Sequence, residues 1–118
     1  MTKILIAEDE ALVAQNIKHR CEMLGYQVPG VVAAGEEVLP AVLQHEPDLI
    51  LMDIRLRGAM DGITAAQQVR AQRNVPIVYL TAYVDDETIE RAKMTEPYGY
   101  IVKPFSFADM RATIEIVV

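Results

Sequence analysis

The chain has 118 residues, 52% of them hydrophobic and 24% charged, which fits one globular domain and excludes a disordered segment. Its net charge of −6 with dispersed Lys and Arg argues against a nucleic-acid surface, because phosphate affinity needs clustered cations. A single cysteine, Cys21, excludes an internal disulfide, no apolar run reaches the length of a membrane span, and the start MTKILIAEDE lacks a signal-peptide shape; a cytoplasmic location with no membrane partner is expected.

Apolar strand-like runs alternate with helical stretches, the βαβ rhythm of a parallel sheet. The first strand is expected at Lys3–Ala7. A helix follows over Glu10–Leu24, with Asp9 as N-cap and Gly25 just past its end. Its Val13, Ile17, Cys21 and Leu24 recur at helical spacing. The second strand, Tyr26–Ala33, is interrupted by Pro29 and Gly30, which suits a sheet edge. Glu36–His45 predicts a second helix that stops before Pro47, with a kink or a late start at Pro40. Asp48–Asp53 is the third strand, and a helix runs from Gly62 to Arg73 with Asp61 as N-cap. Pro76–Thr81 is the fourth strand, Asp86–Met94 the fourth helix and Tyr98–Val102 the fifth strand. The last helix starts after Ser106 and carries the stripe Phe107, Met110, Ile114 and Val117. The fourth helix has little to bury beyond Ile89 and Ala92, and segments with few buried contacts are the ones that move. Residues 1–118 read as one domain, in a form that a module cut from a longer protein would take.

Several strands end in a group able to do chemistry. The first runs into Glu8 and Asp9, the third closes on Asp53, the fourth on Thr81 and the fifth on Lys103. In an open parallel sheet, ligands bind outside the carboxyl ends of the strands. The second strand ends in Ala33, Ala34 and Gly35 and brings no polar group, so it belongs outside the site, next to the first. That placement matches the known flavodoxin-like order 2-1-3-4-5, and a five-stranded parallel sheet of that order with helices on both faces is expected. Clustered carboxylates without a partner are costly. A hard cation such as Mg²⁺, with its preference for oxygen, resolves the conflict. No His or Cys falls in the site, which argues against zinc. One carboxylate among several, beside an ammonium and a hydroxyl, also suits a nucleophile that forms an aspartyl phosphate.

Glu8-Asp9, Asp53, Thr81-Ala82 and Lys103-Pro104 stand in the order and spacing of response-regulator receiver domains, which the chain resembles over essentially its whole length. The resemblance implies that Asp53 is the phosphoacceptor of a two-component system and that Glu8, Asp9, Asp53 and the backbone carbonyl of Arg55 hold Mg²⁺, with Mn²⁺ able to substitute. It implies that Thr81 and Lys103 contact the phosphoryl group, that Tyr100 is the aromatic switch, and that Lys103–Pro104 is a cis peptide. It implies a sensor histidine kinase or phosphotransfer protein as partner and a phosphorylation-dependent surface on the fourth helix, fifth strand and fifth helix, the face that a homodimer would use, although no single residue points to a dimer. A receiver of this kind is no turnover enzyme: it gains and loses a phosphoryl group at Asp53 only. The stretches DIRLRGAMDGI, YLTAYVDDETIERAK and EPYGYIVKPF resemble receivers associated with sensor histidine kinases. Two departures stand out. Glu8 replaces the commoner Asp, and Arg57-Gly58-Ala59 stands where many receivers have a Pro and one residue fewer. Arg55 and Tyr83 fall where the family tunes dephosphorylation, and their bulk is expected to shield the acyl phosphate from water.

Plainer readings apply elsewhere. Asp61 is an N-cap, Asp85-Asp86-Glu87 a helix start favoured by the helix dipole, and Tyr79, Tyr98 and Phe105 packing residues. Met52 and Met60 are core or loop filler, Cys21 a buried structural thiol, and His19 and His45 ordinary helix residues. A dehalogenase-type phosphohydrolase would close its first strand as D-x-D, and an FMN carrier would need a Ser/Thr/Gly loop where EDEA stands. The remaining alternative is a receiver-like interaction module that does not switch.

Overall fold

A computed structural model describes residues 1–82 and 85–118. The elements are β1 (Lys3–Ala7), α1 (Ala11–Met23), β2 (Gln27–Val32), a 3-10 turn (Gly35–Glu37), α2 (Val38–His45), β3 (Leu49–Asp53), α3 (Gly62–Gln72), β4 (Ile77–Thr81), α4 (Asp86–Lys93), β5 (Gly99–Val102) and α5 (Phe107–Val117). The sheet has five strands in the order β2-β1-β3-β4-β5, and every pairing is parallel. The expected flavodoxin-like architecture is therefore present.

Strands β3 and β4 are buried at every residue, which is why they read as unbroken apolar runs rather than alternating ones. Side chains alternate between two cores. Leu5, Ile50, Met52, Ile77 and Tyr79 pack with Val38, Ile63, Val69 and Ala92 of α2, α3 and α4. Ile4, Ile6, Leu49, Leu51, Val78 and Leu80 pack with Ile17 and Cys21 of α1 and Met110 and Ile114 of α5. Each fully buried Ile or Leu contributes about 1.5–3 kcal/mol, so the central strands are the rigid base on which the strand ends stand. Burial pushes the Cys21 thiol up to about 12, which keeps it protonated and inert.

Local details refine the expectations. The N-cap of α1 is Glu10, without a side-chain cap bond; Asp9 is not the cap, because the chain is still turning off β1 when it passes Asp9. Gly25, at φ 92°, takes the left-handed conformation that ends α1. β2 is an edge strand that continues through Pro29 and Gly30, with its register to β1 slipping between Lys3 and Leu5. Pro40 brings no kink: α2 starts late, at Val38, so Pro40 lies in the first turn, where no intrahelical N–H bond is lost. Asp61, Asp85 and Ser106 each cap the helix that follows, accepting from the backbone N–H of Thr64, Thr88 and Asp109. Tyr98 does not pack inside; it precedes the edge strand β5 and is 56% exposed. No helix among the described residues is long and apolar enough to cross a membrane.

Candidate functional site

Parallel register sets the strand ends side by side. Ala7 pairs with Met52, Asp53 with Leu80 and Thr81 with Val102. Glu8, Asp53, Thr81 and Lys103 therefore emerge on one edge of the sheet. Backbone bonds extend the pairing past the strands: Glu8 N donates to Val32 O at 2.9 Å and Lys103 N to Thr81 O at 2.7 Å. A cleft of roughly 350 Å³ opens there, lined by Asp9, Glu10, Asp53, Arg55, Thr81 and Lys103 among others.

Lys103 is the hub. Its Nζ lies 2.5 Å from Glu8 Oε1 and 2.7 Å from Asp53 Oδ2. Asp53 Oδ1 accepts from Arg55 N at 3.0 Å, so both carboxylate oxygens of Asp53 are engaged. Glu8 and Asp53 are buried, while Asp9 is half-buried and Glu10 and Arg55 are exposed. Two buried carboxylates share one ammonium, and the surplus negative charge is relieved on Glu8. Burial and the neighbouring Asp53 carboxylate push the Glu8 carboxyl up to about 7, against the pull of Lys103. Burial alone would lower the Lys103 ammonium, but the bonds to Asp53 and Glu8 override it and raise the ammonium above its ordinary range. The Lys103–Pro104 peptide is cis.

Among the described residues, the carboxylates that converge within 4.8 Å of one another are Glu8, Asp9 and Glu10. Glu10 was missing from the sequence-based set. The run EDE contains it, but a residue expected to open a helix reads as solvated. Asp53 joins this group through Glu8 and Lys103 rather than through a shared carboxylate cluster. All the donors are oxygen, two of the acids are deeply buried with one ammonium between them, and more negative charge stands in and around the cleft than Lys103 balances. That donor set fits a hard divalent cation.

Tyr100 lies on the edge strand β5, opposite Tyr79 in the parallel register, and is 39% exposed. Its ring stacks on Tyr79 at a centroid distance of 6.0 Å. The Tyr79 hydroxyl is 2.7 Å from Thr95 Oγ1, a buried bond that the packing role assigned to Tyr79 did not foresee. Tyr83 lies outside the described residues.

The family model of the response regulator receiver domain matches residues 4–115. The chain belongs to the response-regulator receiver family. This receiver is 38% identical over 116 residues to the transcriptional regulatory protein PdtaR of Mycobacterium tuberculosis, covering 98% of the chain and 56% of that protein. The chain thus spans about half the length of that curated relative. Among solved structures it is similar to the signal receiver domain of a modulated diguanylate cyclase from Desulfovibrio desulfuricans, with a TM-score of 0.92, 38% identity and coverage of 99% of this chain and 93% of that one. It is also similar to the chemotaxis protein CheY4 of Vibrio cholerae, with a TM-score of 0.91, 28% identity and coverage of 100% and 99%. Receivers are not turnover enzymes; the only catalysis of the class is their own phosphorylation and dephosphorylation.

Proposed function

We propose that this receiver is a phosphoacceptor, taking a phosphoryl group onto Asp53 from the phosphohistidine of a sensor kinase or phosphotransfer protein. The observation that carries this reading is Asp53 itself: a buried carboxylate at the end of a central strand, lining a cleft, with Lys103 Nζ at 2.7 Å. A carboxylate so placed is fixed in direction and reachable from one side only.

Asp53 attacks phosphorus with a carboxylate oxygen, the P–N bond of the donor breaks, and the imidazole leaves and takes a proton from solvent. The product is an acyl phosphate on Asp53. Lys103 gives up its bond to Asp53 Oδ2 and pairs with a phosphoryl oxygen, while the Thr81 hydroxyl donates to another. Asp9, Glu8, Asp53 and the Arg55 carbonyl are the groups that would hold Mg²⁺, with Glu10 adding negative charge at the rim. When bound, Mg²⁺ supplies the positive charge that lets an anionic nucleophile meet an anionic phosphoryl group. The Arg55 side chain, exposed at the cleft, screens the acyl phosphate from water.

The response runs through Thr81 and Tyr100. Drawing Thr81 towards the phosphoryl group frees space beside β4, Tyr100 turns inward, and the surface of α4, β5 and α5 changes. That face carries Met94, Tyr98, Tyr100 and Val102 exposed, apolar surface on which a partner or a second copy of the chain would dock.

Intact-mass spectrometry after incubation with acetyl phosphate and Mg²⁺ tests the reading. One phosphoryl adduct, lost with EDTA and in Asp53→Asn, is expected. No adduct, together with no beryllofluoride binding, would leave a receiver-like interaction module that does not switch.

A further inference from the structure

The loop between Asp53 and Gly62 contains Arg55, and it is tied to a distant corner of the chain. At its start, Gly62 N donates to Ile54 O at 2.7 Å. A Cβ on Gly62 would sit 2.0 Å from the Asp53 carbonyl oxygen, so loop and helix start are pressed together with no room for a side chain. In its middle, Arg57 N donates to Ala33 O at 2.9 Å, and Ala34 and Arg57 form an isolated parallel bridge. Near its end, Met60 N donates to Glu36 Oε1 at 3.1 Å.

Glu36 sits in the 3-10 turn that leads into α2, and the structure is cut to fit its carboxylate. A Cβ on Gly58 would lie 2.7 Å from Glu36 Oε2, and Gly58 has φ +91°. A Cβ on Gly35 would lie 2.2 Å from the Met60 carbonyl oxygen. Two glycines thus give way where the loop meets Glu36. The corner that presents Glu36 is itself held, because Glu37 Oε1 accepts from Ala34 N at 3.0 Å. Leu56 and Met60 pack against the core, but Arg55, Arg57, Gly58 and Ala59 are exposed. The path of that exposed stretch is therefore set by backbone bonds rather than by burial.

We propose that Glu36 is a positioning residue for the metal site. By accepting from Met60 N it completes a strap across the loop, and the strap holds the Arg55 carbonyl where the cation needs it. This rests on the phosphoacceptor reading above. Coordination by a carbonyl demands a fixed backbone, since a cation with strict geometry rewards a preorganised ligand. A side chain distant from the chemistry then acts through the loop it holds.

The test is Mg²⁺ titration of wild type, Glu36→Ala and Glu36→Gln, followed by backbone amide shifts, with amide exchange measured in the metal-free proteins. Losing one bond to a charged acceptor at an exposed site is expected to raise the Mg²⁺ Kd about fivefold in Glu36→Ala. Exchange at Met60 and Arg57 should quicken in the same variant without metal. Glu36→Gln keeps an acceptor oxygen and should return both towards wild type. Wild-type Mg²⁺ affinity in Glu36→Ala overturns the proposal and leaves the phosphoacceptor reading standing. A Glu36→Gln that behaves like Ala also overturns it, because charge rather than the bond would then matter. A wild type that binds no Mg²⁺ overturns both.

Discussion

Arg91 of α4 grips the residue that caps α3. Its Nη1 lies 3.0 Å from Asp61 Oδ2 and its Nη2 3.4 Å from Asp61 Oδ1, while Asp61 Oδ1 also accepts from Thr64 N at 2.8 Å. One carboxylate thereby finishes one helix and holds a second. The helix it holds is the one with least to bury, with Ala92 its only buried residue.

Asp61→Ala should therefore cost more than Arg91→Ala. The first removes a cap, worth about 1 kcal/mol, as well as the pair. The second removes a half-exposed pair worth about 0.5 kcal/mol. A double-mutant cycle by urea denaturation reads the coupling directly. Burial opposes ionisation of Asp61, but Thr64 N–H and Arg91 outweigh it and hold the carboxyl below its ordinary value. Its contribution is present above the unfolded value of 3.8 and is lost as pH falls through the folded one.

The Tyr79–Thr95 bond has a fixed polarity. Thr95 Oγ1 donates its one hydrogen to Ala92 O at 2.6 Å, so the Tyr79 hydroxyl must be the donor across the 2.7 Å contact. Tyr79→Phe deletes a bond and leaves Thr95 still donating to Ala92, at about 1 kcal/mol. Thr95→Val strands a buried hydroxyl and should cost more, about 2 kcal/mol. Equal costs by denaturation would reverse the assigned direction.

Glu8 should titrate near 7 in the metal-free protein, seen by carbon NMR of its carboxyl. Lys103→Met removes the lowering influence and should move it up; Asp53→Asn removes a raising one and should move it down. A value lifted from 4.5 to about 7 means that the native state binds the proton more tightly. The associated stability is complete below pH 4.5 and fades as pH rises through 7.

Lys103→Met should also destabilise the fold by about 3 kcal/mol, since it leaves buried carboxylates uncompensated. Mg²⁺ should restore part of that loss, because a ligand of the native state alone stabilises it. Thermal melts with Mg²⁺ and with EDTA measure the recovery, which should exceed that of wild type.

Strand positions were legible because burial on both faces writes an unbroken apolar run, as in Leu49–Asp53 and Ile77–Thr81, and because Asp53 and Thr81 close those runs; at the half-exposed edge strand β5 the signal was the short apolar run that Lys103 follows. Helix starts were legible where a cap is local: Asp61 and Ser106 reach only three residues along the chain. Asp9 misled for the same reason. An acid ahead of a helix reads as a cap, yet the turn out of β1 puts Glu10 at that position. Tyr98 misled because an aromatic beside a strand reads as core, whereas next to an edge strand it faces water.

What the sequence determined alone is the kind of site: acids, a hydroxyl and an ammonium at the ends of parallel strands, because side-chain alternation and strand direction are local properties. Only the tertiary structure decided who partners whom. Lys103 meets Glu8 across 95 residues, Arg91 meets Asp61 across 30 and Met60 meets Glu36 across 24. Those pairings depend on how far each helix leans and where each loop crosses, which many weak packing contacts set together and no short stretch of residues encodes.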